Sequence, residues 1–270
     1  MTKKKDEDPK PVTQSRYAAL IEKIFFDHYT KGKKELAFVR PELKQAAKDL
    51  DIELPDNLGD VLYSMRFRTP MPSTVLATQP AGYEWIIELA GRAKYVFRLA
   101  KKNRIVPNPS LATIRIPDST PEIIAAYALD DEQALLAKVR YNRLIDIFLG
   151  VTTFSLQNHL RTTVKGIGQI EIDELYVGID KFGCHYVIPV QAKGGTDQIS
   201  IVQTTQDMRW CAGKYPTLRC RPISAQFITS EQIALFELTV EDDEIRVVEE
   251  RHYKLVPGSE LDLKEISSYR

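Results

Sequence analysis

Glu171, Asp173, Gln191 and Lys193 are the residues whose types and spacing could do chemistry together. They flank Asp180-Lys181-Phe182-Gly183, a turn-forming stretch with β-prone runs on either side, so the two runs are expected to pair as an antiparallel hairpin. If pairing centres on that turn, residue numbers summing to about 364 lie opposite one another, which sets Asp173 across from Gln191 and Glu171 across from Lys193. Side chains alternate along a strand, so these four would share one face and Ile170, Ile172, Val190 and Ala192 the other. A one-residue slip would break that segregation.

Two carboxylates, an amide and a lysine on one sheet face are costly to bury without a partner. A divalent cation held through oxygens would supply one. Mg²⁺ takes few protein oxygens and keeps several waters, and Mn²⁺ can stand in for it. A lysine beside it could orient or deprotonate an attacking water, while the metal neutralises charge developing on a phosphate oxygen. The chemistry this implies is phosphodiester hydrolysis.

The surrounding chain must supply a sheet to carry those residues. A short helix is expected from Pro121 and a longer one from Asp131, stopped by Gly150. Strands follow over 151–164, 169–179 and 184–192, then a helix over 199–211, a strand over 218–228 and a closing hairpin over 233–240 and 245–255. Ahead of this lies a different pattern. Residues 1–14 have no apolar periodicity and read as a disordered arm. Helices are expected from Ser15, a plausible cap, to about Tyr29, from Pro41 to about Leu50, and from Asp56 or Asn57 to about Phe67. A hairpin over 83–89 and 93–99 turns at Ala90-Gly91-Arg92. Three helices and a hairpin give the winged helix-turn-helix order, whose third helix is offered to the major groove. The Pro-, Asn- and Lys-rich stretch 101–118 separates a reader over 15–107 from a second domain over 108–270.

Charge divides along the same line. The net charge of zero over 270 residues hides 20 Lys and Arg against 14 Asp and Glu up to residue 107, and 17 against 23 beyond it. Arg66, Arg68, Arg92, Lys94, Arg98, Lys101, Lys102 and Arg104 face only Glu84 and Glu88 within 61–107, an excess suited to a polyanion such as double-stranded DNA. The acidic run 241–250 would repel phosphate and belongs away from it. No apolar run approaches a membrane span and no secretory signal opens the chain, so no membrane partner and a cytoplasmic location are expected. Cys184, Cys211 and Cys220 lack zinc spacing and read as reduced thiols.

Asp173 followed eighteen residues later by Gln191-Ala192-Lys193, within the order helix, three strands, helix, strand, resembles the PD-(D/E)XK nucleases, the superfamily of restriction endonucleases and related repair nucleases. The resemblance covers about residues 131–230. It implies an α/β (α+β) restriction-endonuclease-like core, a mixed sheet flanked by helices. By position it implies that Asp173, Gln191 and the Ala192 carbonyl bind metal, that Lys193 serves the water, and that Glu132 from the first core helix joins them. Two positions depart from the pattern. Ile172 stands where the family's Pro would be, and Gln191 replaces the usual acid, leaving Glu171 to supply the missing charge.

The activity implied is a Mg²⁺-dependent endonuclease cutting double-stranded DNA, of restriction type, acting as a homodimer on palindromic sites beside a companion DNA methyltransferase. Two other readings stand beside it. One is a DNA-binding regulator with an inactive nuclease core, and the other is a repair, structure-specific or RNA-directed nuclease. Asn158, His159 and Arg161, on the strand ahead of the hairpin, could touch DNA or form a polar sheet face. Gln203, Gln206 and Asp207 could border the site from the following helix, and His159 is a weaker candidate for a general base. Trp85, Tyr95 and Phe97 read as core of the wing, and Gly194-Gly195-Thr196 as an ordinary turn.

Overall fold

Ser15 does cap the first helix: its hydroxyl accepts from the Ala18 N–H at 3.2 Å. The structure, a computed structural model, describes residues 15–67, 69–101, 105–127, 132–164, 166–194, 199, 201–229, 231–242 and 244–268. The expected arm over 1–14 and Arg68 lie outside these. Two compact units divide at Ala100/Lys101, seven residues ahead of the expected boundary.

In the first unit, α1 (Arg16–His28), α2 (Glu42–Leu50), α3 (Leu58–Phe67) and the short α4 (Ser73–Leu76) pack on a three-stranded sheet ordered β1-β3-β2. Its strands are β1 (Glu35–Val39), β2 (Tyr83–Leu89) and β3 (Lys94–Lys101). Sequence reasoning missed β1, which pairs antiparallel with β3 from Glu35↔Arg98 to Val39↔Lys94. Leu20, Ile24, Phe25, Leu43, Leu62, Trp85, Tyr95 and Phe97 fill one apolar core. Phe97 stacks on Phe38 at 4.7 Å between ring centroids and meets Phe25 edge-on at 5.3 Å. Trp85, Tyr95 and Phe97 are therefore core residues, as expected from the sequence.

The second unit is built on an eight-stranded mixed sheet among the described residues, ordered β4-β11-β10-β9-β7-β6-β5, with β8 beside β7. Its strands are β4 (Thr113–Pro117), β5 (Thr152–Val164), β6 (Gly168–Ile179), β7 (His185–Lys193), β8 (Arg219–Cys220), β9 (Ile223–Phe227), β10 (Gln232–Glu241) and β11 (Glu244–Val256). Its helices include α5 (Glu122–Tyr127), α6 (Glu132–Tyr141), α7 (Leu144–Leu149) and α8 (Ile201–Lys214). Leu135, Leu136, Leu144 and Ile145 pack with Ile188, Val190, Ala192 and Ala225 into one core. Cys211 and Trp210 of α8 pack with Leu175, Val187 and Leu160 in another.

The single helix expected from Asp131 is broken in two, because Arg143 takes a left-handed conformation (φ 49°) between α6 and α7. The Asn142 side chain anchors the break by accepting from Ser119 N–H and donating to the Lys138 carbonyl. Gly150 ends α7 at φ 65°, its N–H bonded to the Asp146 carbonyl. Gly150→Ala would place a side chain in that left-handed cap, and a loss of about 1 kcal/mol is expected in urea unfolding; no change would show that the cap can relax.

Candidate active site

The hairpin register is fixed by its turn. Asp180 accepts from the N–H groups of Phe182 and Cys184 at 2.8 and 2.9 Å and from the Tyr186 hydroxyl at 2.8 Å. These bonds, that of Cys184 first, hold its carboxyl below the usual carboxylate range. From Ile179↔His185 to Glu174↔Val190 every pair sums to 364, as the sequence implies.

The pairing ends there, and this corrects the expected layout. On its other edge β7 runs parallel beside β9, from Val190↔Ile223 to Lys193↔Gln226, and beyond Glu174 β6 continues paired with β5 alone. Asp173 stands in the resulting fork, where its Oδ2 accepts from the Ala192 N–H at 2.9 Å in place of a ladder bond. The pairs of β5 with β6 also skip Asp173, running Asn158↔Glu174 then Leu160↔Ile172, with His159 between them at φ 48°. Irregular backbone of this kind re-aims a side chain out of the regular pleat.

Glu171 is not opposite Lys193. Its carboxylate lies 3.2 Å from the Arg161 Nε and 3.4 Å from the His159 Nδ1, out on the β5–β6 ribbon. The charge it was expected to lend the metal site is thus engaged elsewhere, and His159 and Arg161 are partly engaged with it. Asn158, exposed, accepts from the Ser155 hydroxyl at 3.3 Å. Glu132 opens α6 close to the end of β7: a Cβ built on Gly194 would lie 3.8 Å from its Cγ.

Gln191 and Lys193 alternate with the core residues Val190 and Ala192 and meet α8. The Gln191 amide donates to Asp207 Oδ2 at 2.9 Å, with Thr204 Oγ1 at 3.4 Å, and the Lys193 ammonium donates to Gln203 Oε1 at 3.0 Å. Gln191 and Asp207 are 2% and 1% exposed, yet Gln191 Oε1, Asp207 Oδ1 and the buried Ser224 hydroxyl have no hydrogen-bond partner among the described residues. Burial pushes the Asp207 carboxyl well above its ordinary range, and Asp173 nearby adds to this against the pull of Gln191 and Lys193. Burial also raises Asp173, opposed by the Ala192 N–H and by Lys193. For carboxyls raised on folding, stability falls as pH climbs from the ordinary carboxylate range toward the raised values. A cation paired with them would offset that loss.

Among the described residues, no three His, Cys, Asp or Glu side chains gather at metal-binding spacing. The unpartnered oxygens of Gln191 and Asp207 nevertheless suit a hard cation held by few protein ligands and several waters. Ala192 contributes a carbonyl to the same gap, since the N–H and C=O of a strand residue project toward the same edge.

The reader residues fare unequally. Arg66 is not free for DNA: its Nε donates to the Ile87 carbonyl at 3.2 Å, and burial lowers its pKa to about 10. Arg98 makes a two-pronged ion pair with Glu88. Arg92 and Lys94 stand exposed at the β2–β3 turn. Thr204 and Ser224 went unnoticed in the sequence. Thr204 stands among several polar residues of α8 and Ser224 two positions from Gln226 in β9, so neither is set apart by residue type.

No helix among the described residues is long and apolar enough to cross a membrane. Compared with protein-family models, with curated proteins and with solved structures, the chain finds no match.

Proposed function

We propose that the chain is a Mg²⁺-dependent endonuclease that hydrolyses phosphodiester bonds of double-stranded DNA, of restriction type. The observation that carries the reading is the fork between β6 and β7. It gathers Asp173, the Gln191 amide oxygen and Lys193 where the ladder has opened and acceptor oxygens lie unpartnered. Asp173, Gln191 Oε1 and the Ala192 carbonyl would hold the cation, with Mn²⁺ able to replace Mg²⁺. When bound, the metal neutralises charge developing on the phosphate oxygens. Lys193, steadied by Gln203, holds and orients the water that attacks phosphorus while the bond to the leaving ester oxygen breaks.

The helices and sheet of the first unit follow the order of a winged helix, with α3 as reading helix and the β2–β3 turn as wing. Arg92 and Lys94 on that turn are assigned to the DNA backbone. The double variant Arg92→Ala, Lys94→Ala should weaken duplex binding about equally for all sequences and reduce the salt slope by about 1 per charge lost. An unchanged slope in gel shifts would remove the wing from the interface. Cutting of palindromic sites calls for a homodimer, and a restriction role for a companion methyltransferase.

Gln191 supports a second reading, a DNA-binding regulator whose core no longer cuts, because an amide is a weaker metal ligand than a carboxylate. Incubation with duplex DNA, single-stranded DNA and RNA in Mg²⁺ separates the readings. Cleavage of duplex alone is expected. Preference for RNA or branched DNA would reassign the substrate, and tight duplex binding without cleavage of any substrate would favour the regulator.

A further inference from the structure

The fork holds only one carboxylate from the hairpin, since Glu171 is turned to Arg161 and His159. A second carboxylate reaches the same region from α8. Asp207 is 1% exposed, grips the Gln191 amide nitrogen through Oδ2, and leaves Oδ1 without a partner among the described residues. That grip has a consequence for Gln191. With Nε2 given to Asp207, the amide must present Oε1 as its other end, and Oε1 too is buried and unpartnered. Two buried acceptors on hydrogen-bonded side chains, neither with a donor among the described residues, are expensive unless something positive lies near them. Lys193 draws on Asp207 through its charge but hydrogen-bonds to neither of these oxygens, its ammonium being bonded to Gln203 Oε1.

We propose that Asp207 is the second carboxylate ligand of a divalent-cation site whose other protein ligands are Asp173 and Gln191 Oε1. The inference rests on the metal-nuclease reading and adds to it that the charge missing at Gln191 is supplied by the neighbouring helix. The side-chain pair then works as a unit: the strand gives a neutral oxygen, the helix gives the charge, and the hydrogen bond between them fixes both. Ser224, whose hydroxyl is fully buried beside Gln191 in the β7–β9 register, is placed to bond a metal-bound water.

Mn²⁺ binding by calorimetry tests this with no reference to cleavage. Asp207→Asn keeps an acceptor for Gln191 and removes only the charge, and it should weaken Mn²⁺ binding on the order of 10- to 100-fold. The paired variant Gln191→Glu, Asp207→Asn exchanges the two groups across the same hydrogen bond and restores the count of carboxylates. It should bind Mn²⁺ within a few-fold of the wild type, and it remains informative if Asp207→Asn alone fails to fold. In crystals soaked in Mn²⁺, the anomalous peak should lie within bonding distance, roughly 2.0–2.6 Å, of Asp207 Oδ1.

The failures can be told apart. If the wild type does not bind Mn²⁺, or Asp173→Asn binds as well as the wild type, the metal-nuclease reading falls and this proposal with it. If Asp173→Asn loses binding while folded Asp207→Asn keeps wild-type affinity, only the role of Asp207 is overturned. Loss of affinity in Glu171→Gln with Asp207→Asn unaffected would overturn it in favour of Glu171, and a folded exchange variant that does not regain affinity would also overturn it.

Discussion

Asp173→Asn is expected to reduce DNA cleavage on the order of 1,000-fold while duplex affinity stays within about threefold. The size follows from the several kcal/mol of transition-state charge stabilisation that a catalytic metal supplies, at 1.36 kcal/mol per factor of ten. Asparagine is the informative replacement because its amide oxygen can still accept from the Ala192 N–H, so the fork between β6 and β7 should survive. What is lost is the negative charge, at a carboxyl whose ionisation burial already opposes. Single-turnover cleavage and gel-shift titration of the same preparation would separate chemistry from binding. Cleavage within tenfold of the wild type would remove Asp173 from the site.

The second large effect is on stability and lies on α6. Glu174, next to Asp173, is fully buried, where it is ion-paired to Arg140 and accepts from the Tyr176 hydroxyl at 2.5 Å. Arg140→Ala would leave a buried carboxylate with one neutral partner. Removing one member of a buried pair costs about 3–5 kcal/mol, and the low end, about 3 kcal/mol, is expected here because the Arg140 side chain is 35% exposed and part of its attraction is screened. Replacing both charges by apolar residues, Arg140→Met with Glu174→Leu, should recover most of the loss, since no charge is then stranded. Urea unfolding of the three proteins measures this, and a loss below about 0.5 kcal/mol for Arg140→Ala would mean that water reaches Glu174.

The hairpin could be read because its signals are local. Asp180 and Gly183 build the turn, apolar residues alternate on both sides, and a sum of 364 follows. Where the hairpin stops could not be read. That depends on Asp173, whose carboxylate takes the Ala192 N–H, and on the irregular β5 backbone beside it at His159, neither of which the alternation of a single strand marks. The expectation that Glu171 faces Lys193 failed for this reason. The missing β1 is a similar case: five residues behind Lys33 and Lys34 become a strand only by lying against β3.

The roles of arginines and of buried acids were equally hidden. Composition marked Arg66 as basic surface, but it is folded onto the Ile87 carbonyl. Asp207 looked like one more polar residue on the border of the site, although α8 buries it against Gln191. In each case the partner is supplied by tertiary packing, and residue type alone gives no direction to the side chain.

Purified protein incubated with unmethylated plasmid DNA in Mg²⁺, beside EDTA and Lys193→Ala controls, tests the central claim most directly. Discrete fragments in Mg²⁺, absent with EDTA and absent with Lys193→Ala, are the predicted result. Plasmid left intact by a preparation that still shifts duplex DNA on a gel, or fragments undiminished by EDTA or in Lys193→Ala, would contradict it.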